Sequence, residues 1–81
     1  MEKKCLSELP LGKTGRILSL GNDEVLCRRL RSLGVGEDSR IRPAFTSPFG
    51  DPIAYEVQGI VIALRRQDSG QIVVEEESPW G

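Results

Sequence analysis

The chain has 81 residues, 38% of them hydrophobic and 28% charged, with 11 basic and 12 acidic side chains for a formal net charge of -1. That length bounds one domain with a single small core and leaves little room for a deep enzyme pocket, and the composition excludes disorder over most of the chain. The charge balance lacks the basic excess through which nucleic-acid binders neutralise phosphate, although Arg28, Arg29 and Arg31 cluster locally, as do Arg40, Arg42, Arg65 and Arg66.

The first residues, Met1 to Leu6, carry charge and no apolar run of the kind that marks a secretory signal. For the two cysteines, Cys5 and Cys27, a reduced, cytoplasmic setting is therefore the simpler reading, with a single disulfide left open. No stretch approaches the roughly 20 apolar residues that span a bilayer, so any membrane role passes through a partner.

Leu6 to Gly12 reads as a short helical turn or a loop, stopped by Pro10 and Gly12. Gly15 to Leu20 is the first predicted strand. The clearest helix runs from Asp23 to Leu33. Asn22 is placed to cap it, since a short polar side chain accepts from the free amides of a first turn. Asp23 and Glu24 lie at the positive end of the helix dipole, and Arg28, Arg29 and Arg31 lie toward the negative end. Leu26, Leu30 and Leu33 recur at i, i+4 and i+7 and define one apolar face. Gly34 suits the left-handed position after the helix, with Val35 folding back on Leu30 in a Schellman stop.

Beyond the helix the period becomes two. In Ser39 to Thr46, Ile41, Pro43 and Phe45 are expected to share a face, with an edge or a bulge at Pro43, which donates no ladder bond. Ser47 to Pro52 is a turn-rich loop. Ile53, Tyr55 and Val57 alternate with polar or small residues, Gly59 marks a turn, and Ile60, Ile62 and Leu64 alternate again. Arg65 to Gly70 is a short helical turn or loop, and Ile72 to Val74 is the last strand, before a solvated tail from Glu75 to Gly81. The expectation is a mainly β single domain of about five short antiparallel strands, with one α-helix after the first strand, closed into a small barrel that hides its edges.

The chemistry-bearing motifs are weak. Gly12-Lys13-Thr14 resembles part of a phosphate loop, but Ser7 occupies the position of the first required glycine and no buried strand precedes it. Gly34-Val35-Gly36 follows a helix instead of opening one, so it is a helix stop and not a dinucleotide loop. There is no histidine, which removes the usual acid–base group near neutral pH and the commonest metal ligand. Glu75, Glu76 and Glu77 offer at most a weak contact for a transition-metal ion and read as a solvated charge run. Cys27 reads as a small hydrophobe beside the apolar helix face. The chain is thus expected to be no enzyme and to hold no cofactor.

Several pieces, in order, resemble the FeoA family, ferrous iron transport protein A. They are Leu6-Ser7-Glu8-Leu9 with Gly12 and Gly15; Arg29 to Gly36; Ile41; Pro48 to Ile53; Gly59; Ala63-Leu64-Arg65; and Ile72 to Glu75. Ser69 and Gly70 in the short helical turn, and Pro43 in the strand, depart from the family pattern. The resemblance implies an SH3-like barrel with an added helix, a core over residues 5–75 and a flexible tail at 76–81. It also implies a non-catalytic, cytoplasmic adaptor in iron homeostasis that contacts a FeoB-type membrane transporter bearing a GTPase domain. A similar SH3-like domain forms the C-terminal part of iron-dependent repressors, so a free-standing regulatory module that binds a peptide is the alternative. A nucleic-acid-binding barrel is a third reading that the net charge opposes. Two surfaces are expected to meet a partner: the helix end, Arg29, Leu33 and Gly34, and the loop Pro48, Phe49, Gly50, Asp51 and Pro52. Leu30, Ile41 and Ile62 are assigned to the core. Neither oligomeric state nor contact with the transported ion is readable from the residues.

Overall fold

A computed structural model describes residues 2–77. In chain order it contains β1 (Lys3–Cys5), a 3-10 turn (Leu6–Glu8), β2 (Gly15–Ser19), α1 (Glu24–Ser32), β3 (Arg40–Thr46), β4 (Ile53–Val57), β5 (Ile60–Leu64), α2 (Arg66–Ser69) and β6 (Val73–Glu76). The strands form one sheet in the order β1-β6-β2-β3-β4-β5, with every pairing antiparallel. The last strand slots between the first two and ties the two ends of the chain together.

The sheet has six strands where the sequence pattern indicates about five, and α1 therefore follows the second strand. The extra element is β1, whose Lys3-Lys4-Cys5 shows no apolar alternation; its strand character comes from pairing with Val73, Val74 and Glu75. A second correction concerns closure. Strand pairing stops at β1 on one side and β5 on the other, so the ladder keeps two edges where a closed barrel would have none. A third concerns the tail: Glu75 and Glu76 belong to β6, and the Glu77 N–H donates to the Thr14 carbonyl at 2.9 Å. The rest of that segment, residues 78–81, lies outside the described residues.

α1 starts one residue later than Asn22 would set it. Asp23 has the extended backbone of a cap, and its Oδ1 accepts from the N–H groups of Val25 (3.0 Å) and Leu26 (3.1 Å). A carboxylate there also meets the positive end of the dipole, which an amide does not. The far end is the expected Schellman stop. Gly34 has φ +86°, its N–H donates to Arg31 O at 2.9 Å, and the Val35 N–H donates to Leu30 O at 2.9 Å.

The core gathers Leu6, Ile17, Leu30, Ile41, Tyr55 and Leu64, each 1% exposed or less, with Leu26 and Val35 of the helix and its stop. Each such side chain contributes about 1.5–3 kcal/mol when removed from water. A bulge interrupts β3: Pro43 pairs with Tyr55, but Phe45 pairs with Ala54, leaving Ala44 as the extra residue. The extra residue reverses the alternation, so Ile41 and Pro43 point inward while Phe45 is 60% exposed. The shared face expected for all three ends at the bulge. Along β5, Leu64 is buried, Ile62 half-buried and Ile60 exposed, a gradient that the even spacing of the three does not reveal.

Candidate interaction surface

The sequence points to a helix end and a loop, and the fold places them at opposite ends of β4. At one end, β4 and β5 are joined by Gln58 and Gly59, both at positive φ (51° and 81°), as a two-residue hairpin turn requires. The Gln58 side chain reaches over to the helix stop. Its Oε1 lies 3.4 Å from where a Cβ on Gly34 would stand, and its Nε2 donates to Ser39 Oγ at 3.1 Å. Around this point Arg29 and Leu33 are exposed, Leu33 by 45%. Arg31 is held by Glu37 through a salt bridge of 3.2 Å, while Arg29 has no carboxylate partner among the described residues. Salt bridges also pair Arg16, Arg40 and Arg42 with carboxylates.

At the other end stands the loop Pro48 to Pro52. Gly50 takes a positive φ of 82° and its N–H donates to Ser47 O at 2.9 Å, while the Ser47 N–H donates to Pro52 O at 3.2 Å. The Asp51–Pro52 peptide is cis. Two further bonds fasten the loop to α2: Asp51 Oδ1 accepts from the Arg66 N–H at 3.0 Å, and Arg66 Nε donates to Gly50 O at 3.2 Å. Asp51 thereby caps a helix whose own preceding residue, Arg65, makes no side-chain cap. On this tied frame Phe49 is 95% exposed. A shallow hollow lined by Asp51, Pro52 and Arg65 adjoins it.

Beneath the loop, Tyr55 is fully buried, and neither its hydroxyl nor the buried Ser47 Oγ has a hydrogen-bond partner among the described residues. Burial pushes the Tyr55 phenol above its ordinary pKa, with neighbouring Ser69 and the charge on Arg66 acting the other way. The phenol thus stays neutral within the core.

From Pro52 to Gln58 the chain runs nearly straight, so the two surfaces lie roughly 20 Å apart by strand rise. They are not one site. Residues that sequence reasoning missed join each of them: Gln58 at the helix end and Arg66 under the loop. Their partners lie far away along the chain, and no local pattern reveals such pairings.

Metal-ligating side chains do not converge. Among the described residues there is no group of three or more Cys, Asp or Glu side chains that could hold an ion. Glu75, Glu76 and Glu77 are instead engaged by Arg16 (3.1 Å), Lys4 (2.6 Å) and Arg40 (2.8 Å). Both cysteines are free and half-buried, and Cys27 Sγ donates weakly to Gly21 O at 3.5 Å. Gly12 is part of a turn, its N–H donating to Pro43 O at 2.9 Å.

A single antiparallel sheet with α1 packed on it defines a small SH3-like domain, and among its described residues no metal-ligating side chains converge. The FeoA domain model matches residues 4–76, and the chain belongs to that family of small non-enzymatic domains. It is similar to the FeoA protein of Chlorobium tepidum, with 29% identity, a TM-score of 0.85, and coverage of 90% of this chain and 70% of that one. It is also similar to Stenotrophomonas maltophilia FeoA, at 33% identity and a TM-score of 0.73, covering 86% of this chain and 87% of that one. That protein was solved with zinc and put forward as an SH3-domain factor activating ferrous iron transport. A manganese-dependent transcriptional repressor shares the fold, with a TM-score of 0.83 at 23% identity over 95% of this chain and 38% of the repressor. No curated protein matches. No helix among the described residues is long and apolar enough to cross a membrane.

Proposed function

We propose that this domain is a non-catalytic cytoplasmic adaptor of ferrous iron transport, acting by protein–protein contact on a FeoB-type membrane transporter. The family membership supplies the iron-transport context. The observation that carries the reading is the loop Pro48 to Pro52, fastened to α2 through Asp51 and Arg66 while Phe49 stays 95% exposed. A large apolar side chain presented on a fixed frame loses little conformational freedom on docking, which favours its use as an anchor. Arg29, exposed and without a carboxylate partner among the described residues, supports a second contact at the helix end through charge.

Co-purification of the tagged domain with a detergent-solubilised FeoB-type transporter, with and without a GTP analogue, tests this. Retention that falls with Phe49→Ala or Arg29→Glu is the expected result. Absence of retention in every nucleotide state, from a domain shown to be folded, removes the adaptor reading. The likeness to the repressor favours a second reading, a free-standing regulatory module; it predicts binding to peptides from a repressor with no transporter present.

A further inference from the structure

The two proposed contacts are joined by a strip of protein that neither of them uses. β5 runs from the Gln58–Gly59 turn at the helix end to Arg65 beside the loop, and it is the last strand of the sheet. Its sequence, Ile60-Val61-Ile62-Ala63-Leu64, carries no charge, no proline and no polar side chain. These are the features by which proteins usually blunt an edge, and β5 lacks all of them.

The register says which groups are free. The two-residue turn makes Val57 and Ile60 a hydrogen-bonded pair, so Ile60, Ile62 and Leu64 direct their N–H and C=O groups at β4. Val61 and Ala63 direct theirs away from the sheet. Their side chains are exposed as well, Val61 by 56%. They continue two rows across the outer face: Arg42, Glu56 and Val61 in one, and Phe45, Ala54 and Ala63 in the next. An incoming strand would satisfy the outward backbone groups and lie beside an apolar row.

Charge and area select the occupant. Arg65, exposed at the end of the strand, has no carboxylate partner among the described residues, nor has Arg29 at the other end. A second copy of this chain paired along the same edge would cover a strip only ~17 Å long, and its own β5, which carries no charge, would bring no carboxylate to Arg65. A partner that also covers Phe49 and the helix end is not limited in that way. Resting on the adaptor reading, we propose that the free edge of β5 is a strand-addition site. It takes an extended apolar segment of the protein partner, with a carboxylate where that segment passes Arg65.

Proline at Val61 or Ala63 removes an outward N–H and leaves the bonds to β4 in place. The test compares wild type, Val61→Pro, Ala63→Pro and Val61→Lys for retention on the detergent-solubilised FeoB-type transporter. Circular dichroism confirms folding, sedimentation reports self-association, and amide exchange is read with and without the transporter. Strand addition predicts that each proline variant weakens retention about tenfold, that Val61→Lys weakens it similarly, and that the Val61 and Ala63 amides gain protection in the complex. Wild-type retention with all three folded variants retained equally and no gain in protection overturns the inference and leaves the adaptor reading standing. Failure of the wild type itself to be retained removes both. A wild type that dimerises, with dimers lost in Val61→Pro, assigns the edge to a second copy and also overturns the inference.

Discussion

The β1–β6–β2 flank of the sheet is laced with charge, whereas the β4–β5 flank is nearly free of it. On the first, Lys4 pairs with Glu76 and Glu2 and Arg16 with Glu75 and Asp38, and Glu77, just past β6, is met by Arg40 from the start of β3. On the second, the pair between Arg42 and Glu56 stands beside Phe45, Ala54, Val61 and Ala63. The edge at β1 is three residues long and has lysines at two of them; the edge at β5 is five residues long and wholly apolar. A short charged edge resists pairing with another chain, and a long apolar one invites it. Both flanks close over the same core, so the difference lies in the exposed side of the sheet and not in how well each flank is held.

That last point can be broken by the largest effect expected here. Leu64 is 1% exposed and packs in the common core although it sits on the edge strand. Leu64→Ala is expected to cost about 2–5 kcal/mol, read as a fall in the urea midpoint with the slope unchanged. A cost near zero would mean that β5 is loosely laid on the sheet, and the contrast between flanks would become one of order rather than of surface.

A middle-sized effect concerns the loop. Asp51→Ala removes the acceptor for the Arg66 N–H and is expected to cost about 1 kcal/mol, as loss of a helix cap does. Asp51→Asn, which keeps an acceptor oxygen, should cost less. Equal costs for the two in thermal melts would show that Asp51 acts by charge alone.

Val61→Thr sharpens the comparison from the other side. Removing an apolar surface methyl on an exposed edge is expected to change stability by less than about 0.5 kcal/mol. A substantially larger destabilisation would mean that Val61 is retained for folding, which would weaken the case for a partner at that edge.

How far the sequence carried these conclusions depends on the range of each interaction. The stop at Gly34 was legible because its residues lie side by side and obey one backbone rule. The alternation of Ile53, Tyr55 and Val57 was legible because burial on one face imposes a period of two. β1 was not, since Lys3-Lys4-Cys5 becomes a strand only through β6, more than 60 positions further on. The inversion of Phe45 hinged on one bulged residue, which the presence of Pro43 marked without fixing its consequence. The glutamates at 75–77 read as a solvated run because their cations, Lys4, Arg16 and Arg40, are distant in sequence. The sequence offers the loop and the helix end as contact candidates, but their separation along β4, and the bare strand edge between them, belong to topology.

The smallest effect is a titration confined to the charged flank. The hydrogen bond from Lys4 holds the Glu76 carboxyl below the usual glutamate range. The same contact raises the Lys4 ammonium above its usual value, against the lowering effect of desolvation. For Glu76 the unfolded chain binds more protons than the folded one in the interval between the two pKa values. Its contribution is therefore complete above the ordinary glutamate pKa of about 4.3 and is lost as pH falls through the folded value. For Lys4 the sign reverses: its contribution is complete below the ordinary lysine pKa of about 10.4 and is lost as pH rises through the folded value. The tie between β1 and β6 should thus be constant across the neutral range and slacken at both extremes. Backbone exchange followed as pH is lowered below the ordinary glutamate value, and corrected for the intrinsic pH dependence, should show opening at Lys3 to Cys5 before β4 responds. Glu76→Gln should flatten that response. β5 carries no titratable side chain, so its amides should follow only the global stability. If they open with β1, the ion pairs are not what distinguishes the two flanks, and the apolar edge loses its contrast.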